Sequence, residues 1–138
     1  MYLDPTDESA RALFRRAIEG PVTMLNLLRF REWADYSGLP ELAPPQPISG
    51  ADAYERYVRH TLPFLHASGG SVTFLGAGGA WFVGPGDERW DLVMLIRQAS
   101  VSDFFAFAAN EGYLAGMGHR TAALEDSRLL PIVERPLP

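Results

Sequence analysis

The chain has 138 residues, 47% of them hydrophobic, and a formal net charge of −5. That size and composition predict a single globular domain over residues 1–138, and the acidic balance argues against a nucleic-acid partner, whose phosphates need a basic face. Without cysteine or lysine, the chain has no disulfide, no thiolate and no Schiff-base amine.

Residues 1–21 predict an N-terminal helical extension. They lack the basic and apolar segments of a signal peptide, and no run in the chain approaches the roughly 20 apolar residues of a membrane helix, so we expect a cytoplasmic protein with no membrane partner. From Asp7 to Glu19 the apolar residues recur at helical spacing, with arginines opposite them. Gly20-Pro21 should end this helix.

The next segment predicts a strand followed by a long loop. Val22 to Phe30 is nearly all apolar and flanked by breakers, which is typical of a strand buried on both faces. Residues 31–49 contain four prolines, and a loop of this length is usually a lid or a mobile segment. Four apolar side chains could pin it to the body of the domain: Trp33, Tyr36, Leu39 and Leu42.

The middle of the chain predicts a helix and then one or two strands. Ser49 to Asp52 resembles a capping box, and the helix that follows should be kinked or split at Pro63. Two strand-like segments, Ser71 to Gly76 and Ala80 to Val83, are separated by glycines. We interpret them as one strand with a glycine bulge, and a tight hairpin is the alternative.

The last third predicts a strand, a broken helix and a final strand. Trp90 to Arg97 is a second apolar strand. Ser100 opens a helix that breaks at 110–112 and resumes from Tyr113 to Leu124. Arg128 to Glu134 closes the chain as a strand.

After the first helix the predicted order is β-α-β-β-α-β, the ferredoxin-like α+β pattern. Its helices cover one face of a four-stranded sheet. Two strands that are apolar on both sides imply that the other face is covered as well. The simplest cover is a second copy of the chain, so we expect a homodimer in which two sheets pair as a dimeric α+β barrel.

Six stretches of the sequence carry a resemblance to a known family: Val22–Glu32, Gly50–Tyr57, Gly69-Gly70, Trp90–Val93, Gly112-Tyr113 and His119-Arg120. They resemble the family called domain of unknown function 1330, within the dimeric α+β barrel superfamily, from residue 22 to residue 132. The chain departs from that pattern at Gln98 to Ser100, where an aromatic residue and a proline are expected, and in the length of the proline-rich loop. The resemblance implies the fold and the dimer, and it implies no reaction.

Three residues are candidate catalytic groups. Asn26 lies inside an apolar strand, where it either holds a neighbouring loop or orients a ligand in the barrel. Arg97 ends the second apolar strand and could grip a carboxylate or an enolate oxygen, or pair with an acid such as Asp91. His119 could shuttle protons near neutral pH, or it lies on a helix surface.

Five residues are candidate substrate-binding groups. Tyr54 and Tyr57 share the inner stripe of the long helix, where they belong either to the core or, through one hydroxyl, to a pocket. Tyr113 and Arg120 could polarise a carbonyl beside the histidine, or Arg120 pairs with a nearby acid. Arg29, at the end of the first strand, could likewise bind an anion or pair with an acid.

No motif indicates a metal or a nucleotide. The three histidines have neither HxH nor HExxH spacing, so no metal is expected. Gly76-x-Gly78 lacks a third glycine and precedes a strand, unlike a nucleotide loop. No cofactor is therefore expected, with haem or flavin binding, which some members of the superfamily show, as a minor alternative.

Two functions from different classes remain open. The first is a cofactor-free enzyme acting on a small apolar carbonyl or carboxylate compound in a barrel pocket, with isomerase, decarboxylase, dehydratase or oxygenase chemistry by superfamily analogy. The second is a non-catalytic module that binds or senses a small apolar ligand. The same cavity motivates both, and the lack of a convincing acid–base pair motivates the second.

Overall fold

The chain folds as a four-stranded antiparallel sheet with helices on one face, in a computed structural model that describes residues 1–138. The helices are α1 (Asp7–Arg15), α2 (Gly50–Ala67), α3 (Val101–Ala108), α4 (Glu111–Leu114) and α5 (Met117–Ala123). The strands are β1 (Val22–Phe30), β2 (Ser71–Ala80), β3 (Arg89–Gln98) and β4 (Leu124–Ile132). Their order in the sheet is β2-β3-β1-β4, so the predicted ferredoxin-like α+β fold is confirmed. None of the helices is both long and apolar enough to cross a membrane.

Two apolar clusters hold the helices on the sheet. The larger cluster joins α2 and the end of α5 to the strands, and its buried members are Leu28, Ala53, Tyr54, Met94, Ala123 and Leu124. The smaller one, at the other end of β1, consists of Val22, Met24 and Val101, with side chains from the α1 and α3 regions packed against it. Because side chains alternate along a strand, the side chains of Val22, Met24 and Leu28 in β1 all point to the same face of the sheet.

The opposite face of the sheet, which we call the open face, carries apolar side chains and no helix. Six residues define it: Leu25, Leu27, Phe74, Val93, Leu95 and Leu130. Phe74 and Leu130 are half-exposed, at 50% and 54%. The expectation that β1 and β3 are buried on both faces is therefore wrong for the single chain, since burial along β1 alternates.

Several helices differ from their predicted extents. α1 ends at Arg15 rather than at Glu19, and Ala17 already has a positive φ of 49°. Pro63 does not split α2, which is one helix of 18 residues capped by Ser49. The proline is exposed, so water can satisfy the carbonyl that loses its helical partner. The predicted helix from Tyr113 onward is two short helices, α4 and α5.

The strands β2 and β4 are displaced from their predictions. β2 is one bulged strand, in agreement with the interpretation that was preferred over a tight hairpin. Its register shifts between Val72 and Phe74 rather than at the glycines. It ends at Ala80, so the predicted strand residues up to Val83 lie outside it. β4 begins at Leu124 instead of Arg128, because its register shifts to pair Leu124 with Phe30 of β1.

The proline-rich loop, residues 31–49, is held against the helices. Arg31 N donates to Ala123 O and Asp35 N donates to Ala122 O, both at 2.9 Å. Further along, the loop lies so close to Gly118 of α5 that a Cβ there would come within 2.5 Å of Leu42. The expected anchors Tyr36, Leu39 and Leu42 therefore contact the body, whereas Trp33 is 62% exposed.

Candidate functional site

A cavity of about 260 Å³ opens on the open face, at the end of the sheet where β2 and β3 turn. Its walls are mostly apolar: Leu27, Gly78, Gly79, Ala80, Trp81, Trp90 and Val93. We call it the Trp90 cavity. Its volume is close to the lower end of small-molecule sites, roughly 300 Å³, so it suits a compact ligand.

Trp90 is the most deeply buried wall of this cavity. The residue is 3% exposed, and its Nε1 is buried without a hydrogen-bond partner. A buried indole N–H normally finds an acceptor, and an unpaired one costs about 1–3 kcal/mol. Gly78 allows β2 to approach it, because a Cβ there would collide with the backbone oxygen of Trp90. The indole N–H is therefore an unpaired donor inside the protein, closed off from the surrounding water.

Two arginines lie against the Trp90 ring. The guanidinium carbon of Arg128 is 5.0 Å from the centre of that ring and 4.8 Å from the centre of the Tyr2 ring, so it contacts both aromatic faces. The Arg29 guanidinium carbon is 5.6 Å from the Trp90 ring. Such cation–π contacts stabilise a partly desolvated guanidinium and fix its orientation.

Asp126 holds this arrangement together. Its carboxylate accepts from Tyr2 N at 2.7 Å, from Ser127 N at 2.9 Å and from Arg128 Nη1 at 2.8 Å, and it lies 3.5 Å from Arg29 Nη2. Although burial acts to raise the pKa of Asp126, these hydrogen bonds and the Arg128 charge together hold the pKa below its ordinary value. Arg29 is therefore paired with an acid, one of the two roles predicted for it.

A second set of polar side chains lies between α2 and the α4–α5 region. It contains the three tyrosines that were predicted to bind substrate, Tyr54, Tyr57 and Tyr113. The hydroxyls of Tyr57 and Tyr113 are 2.7 Å apart, so one donates to the other. The Tyr54 hydroxyl donates to the sulfur of Met94 at 3.8 Å. Burial raises the pKa of both Tyr54 and Tyr113, so both hydroxyls stay protonated.

His119 pairs with the proline-rich loop. Its Nδ1 lies 2.7 Å from the hydroxyl of Tyr36. Burial lowers the pKa of His119 below 6.5, and the charges of Arg56 and His60 act in the same direction. The imidazole is therefore neutral at neutral pH, and a neutral imidazole can accept a proton.

The three predicted catalytic residues do not meet. Asn26 leaves the sheet on the helix face, where its Nδ2 donates to Met24 O at 3.1 Å. Arg97 leaves on the opposite face and is exposed. His119 lies on α5, bonded to Tyr36. The sheet itself separates the amide from the guanidinium, so they cannot share one ligand within the chain.

Arg120 stabilises the N-terminal segment. Its Nη1 donates to Leu3 O at 2.6 Å and its Nη2 donates to Ser127 Oγ at 3.2 Å. Ser127 N in turn donates to Tyr2 O at 3.0 Å. Both guanidinium contacts are thus used to hold the segment beside β4.

Sequence reasoning missed the residues that form the Trp90 cavity. Trp90 was visible only as the start of the second apolar strand and of a stretch that resembles a family, and Trp81 only as a member of the strand-like segment Ala80 to Val83. Their meeting depends on the register of β2 against β3, which pairs Gly79 with Trp90. No group of His, Asp or Glu side chains is placed to hold a metal ion.

The chain is similar to solved structures along nearly its whole length. It is 37% identical to the RPA0582 protein of Rhodopseudomonas palustris, a protein of unknown function, over 98% of each chain, with a TM-score of 0.81. The methylated RPA0582 protein gives 37% identity, 99% of this chain and 96% of that one, and a TM-score of 0.83.

More distant likeness shows the fold alone. A dimeric protein of unknown function and ferredoxin-like fold from Bacteroides fragilis is 10% identical, over 81% of this chain and 94% of that one, with a TM-score of 0.50. The sequence matches no protein-family model and no curated protein.

Proposed function

Because the chain belongs to the same family as the RPA0582 protein, whose function is unknown, we propose a function from the chain's own site: a homodimer that binds a small apolar carbonyl or carboxylate compound in the Trp90 cavity. One observation carries this proposal. The Trp90 cavity is a mostly apolar recess on a sheet face that no helix covers, with Trp81, Trp90, Leu27 and Val93 in its wall. A small apolar ligand bound there would lose its apolar surface to the wall rather than to water, which favours binding.

The open face supports the homodimer. Monomeric proteins rarely expose a contiguous apolar patch of this kind, and a second copy would cover it by a two-fold pairing of sheets. Leu27 and Val93 belong both to the open face and to the Trp90 cavity, so the same pairing would close the cavity. The Bacteroides fragilis protein of the same fold is described as dimeric.

A matched pair of variants tests the dimer. Leu130 pairs with Leu25 on the open face, and the adjacent Leu129 pairs with Asn26 on the helix face, with similar exposures of 54% and 46%. We expect Leu130→Asp to give a folded monomer and Leu129→Asp to remain a dimer, by sedimentation at micromolar concentration with circular dichroism as the check on folding. A monomeric wild-type protein would refute the pairing.

Thermal shift tests the ligand. Small aromatic and aliphatic carbonyl and carboxylate compounds should include some that raise the melting temperature of the wild-type protein. Trp90→Phe, which removes part of the cavity wall, should reduce that shift, and Trp33→Phe, at an exposed position, should keep it. If no compound of either class shifts the melting temperature, the binding function is refuted.

A cofactor-free enzyme is the second candidate, favoured by the Tyr36–His119 pair. The neutral imidazole of His119 lies 2.7 Å from the Tyr36 hydroxyl. It can remove a proton from the carbon beside a substrate carbonyl while the hydroxyl donates a hydrogen bond to the carbonyl oxygen. Carbonyl compounds incubated in ²H₂O should then exchange the proton beside the carbonyl for deuterium, and so gain mass, with the wild-type protein and with His66→Gln but not with His119→Gln. Carbonyl compounds recovered from the wild-type protein without added deuterium would reject this candidate.

We also propose that the family is the one called domain of unknown function 1330. The supporting stretches fall on β1, α2, β3 and the α4–α5 region. These elements surround the polar residues at Asp126 and the Tyr57–Tyr113 pair. A wider set of sequences tests it. If relatives of the chain do not share Asn26 and the Trp90 stretch with that family, the assignment fails.

A further inference from the structure

We infer that, in the homodimer, the turn between β2 and β3 of one copy docks in a groove between α1 and α3 of the other copy, with Phe82 seated in that groove. This docking rests on the homodimer of the proposed function and does not depend on the ligand. It fixes how the two open faces are oriented, because the turn and the groove lie at opposite ends of the sheet.

The groove, which we call the α1–α3 groove, has a volume of about 420 Å³ and a mostly apolar wall. Leu13, Phe14 and Ile18 line one side of it, and Val101 and Phe105 line the other. No residue of α1 is buried, and Phe14 is 74% exposed, so apolar surface remains uncovered here. The volume is within the range of small-molecule sites, roughly 300–1,000 Å³, so the groove can take an aromatic side chain.

The turn between β2 and β3, residues 81–88, presents an aromatic side chain that no other part of the chain covers. Phe82 is fully exposed, and Val83 beside it is 84% exposed. The hydrogen bond from Trp81 Nε1 to Glu88 Oε2 at 2.8 Å joins the two ends of the turn. Because burying a phenyl ring removes a large apolar area from water, Phe82 gains from any apolar groove it can reach.

The turn cannot reach the groove of its own chain. The groove lies at the start of β1, where Ile18 packs against the cluster that contains Val22. The turn lies beyond the end of β1, since β3 begins after the turn and pairs its Leu92 with Leu28. The nine residues of β1 separate the two by roughly 30 Å. A second copy of the chain can bring a turn to the groove.

The turn and the groove carry opposite charge. The turn contains two carboxylates and no basic residue. Residues 11–19 and 100–105, around the groove, contain three arginines and two acids. Two of those arginines, Arg11 and Arg15, are exposed and make no ion pair within the chain. Complementary charges at the rim of an interface attract the two surfaces and fix their register, so they favour this docking.

Charge also distinguishes the two orientations in which a two-fold axis can pair the open faces. If the axis runs along the strands, equal ends of the two sheets meet and the acidic turns lie side by side. If it runs across the strands, each turn meets the other copy's groove end, where Arg97 is exposed without an ion pair. Because like charges repel, the second orientation is favoured, and its two docking contacts close the assembly as a dimer.

Crosslinking tests the docking directly, because the chain has no cysteine of its own. Phe82→Cys and Phe14→Cys replace exposed side chains, so both variants should fold. After subunit exchange, a short bis-maleimide should link a mixture of the two variants into a covalent dimer and should link neither variant alone. A mixture of Phe82→Cys with Trp33→Cys, which is exposed beyond the other end of β1, is the control and should stay unlinked.

Charge reversal gives a second measurement that needs no crosslink. Asp87→Arg should raise the dimer dissociation constant roughly tenfold, since it acts at both docking contacts, and Arg11→Glu combined with Arg15→Glu should do the same. All three changes together should restore the constant to within about threefold of the wild-type value, because the paired charges are again opposite. Glu41→Arg makes the same kind of charge change on the exposed proline-rich loop and should leave the constant unchanged.

Each outcome bears on one claim. If the wild-type protein is a monomer, the proposed homodimer fails and the docking fails with it. If the wild-type protein is a dimer and Phe82→Cys links to itself, the homodimer stands, equal ends of the sheets meet, and the docking is overturned. If the protein is a dimer but the mixture of Phe82→Cys and Phe14→Cys stays unlinked, or the combined charge changes weaken the dimer further, the turn does not occupy the groove and the docking is again overturned.

Discussion

At the scale of single residues, Gly50 marks a point where three backbone segments meet. A Cβ there would collide with Arg31 O and lie 2.7 Å from Ala123 O. Its amide donates to Arg31 O at 3.1 Å. The start of α2, the proline-rich loop and the end of α5 can approach one another only because this position lacks a side chain.

We therefore expect Gly50→Ala to lower the free energy of unfolding by about 1–3 kcal/mol, the usual cost of overpacking, because backbone rather than a flexible side chain must move. Urea denaturation measures the change. Gly86→Ala is the matched control, since no atom lies within 4 Å of the Cβ it would add. Equal stability of the two variants would contradict the close approach at Gly50.

His119 makes stability depend on pH. Burial, with Arg56 and His60, lowers its folded pKa below 6.5, so the unfolded chain binds a proton at a higher pH than the folded chain does. Its contribution is therefore complete above pH 6.5 and is lost as the pH falls through 6.5 towards the folded pKa.

Between pH 7.5 and pH 5.5, the wild-type protein should accordingly lose more stability to urea than His119→Gln does. His66→Gln, at an exposed position on α2, should follow the wild-type protein. Parallel losses in all three proteins would show that His119 is not the titrating group.

Part of the polar site could be predicted from residues alone. Tyr57, Tyr113 and His119 lie in the region where helix periodicity and the family resemblance placed them. Asn26 and Arg97 were both proposed as catalytic groups of one site, but they lie on opposite faces of the sheet. A strand pattern shows that side chains alternate between two faces, but not which set of residues, or phase, faces the helices. That phase was decided by packing against Tyr54 and Met94, far away in the sequence.

At the scale of elements, the turn between β2 and β3 presents an unusual run of apolar residues. Trp81, Phe82 and Val83 are 41%, 103% and 84% exposed, although Trp81 Nε1 is tied to Glu88 Oε2 at 2.8 Å. The turn continues directly from the wall of the Trp90 cavity. In the proposed homodimer these side chains would contact the second copy.

Phe82→Ser should then raise the dimer dissociation constant about tenfold, the typical effect of removing an aromatic side chain from an interface. Leu137→Ser, also fully apolar and 94% exposed but outside the sheet, is the control. Sedimentation over a range of concentrations measures both. An unchanged constant in Phe82→Ser would exclude the turn from the interface.

The elements whose ends are set locally were predicted well. β1 has the predicted bounds, Val22–Phe30, because breakers flank it on both sides. β4 starts four residues early, since its first residue is fixed by pairing with Phe30 across a register shift. The bulge in β2 also depends on its partner strand rather than on the glycines in its own sequence.

At the scale of the whole molecule, the proposed dimer and the proposed ligand share part of one surface. Leu27 and Val93 line the Trp90 cavity and belong to the open face. Binding at the cavity and pairing of the faces must then be coupled, and the coupling is reciprocal.

A saturating ligand from the thermal-shift screen should therefore lower the dimer dissociation constant by the same factor by which dimerisation raises the affinity for that ligand. The monomer made by Leu130→Asp should bind that ligand more weakly than the wild-type dimer does, and Leu129→Asp should bind it normally. Equal affinity in the monomer and the dimer would show that the cavity is complete within one chain.

The order of elements was enough to predict the fold, because β-α-β-β-α-β allows few compact arrangements. The position of the cavity was not predictable in the same way. It depends on the register that places Gly79 opposite Trp90.

The unequal burial of the three tryptophans gives the chain an intrinsic optical reporter. Trp33 and Trp81 are 62% and 41% exposed, whereas Trp90 is 3% exposed. A water-soluble collisional quencher such as acrylamide would extinguish emission from the first two and leave the blue-shifted emission of Trp90. The fluorescence that survives would follow the state of the cavity alone, without any attached dye.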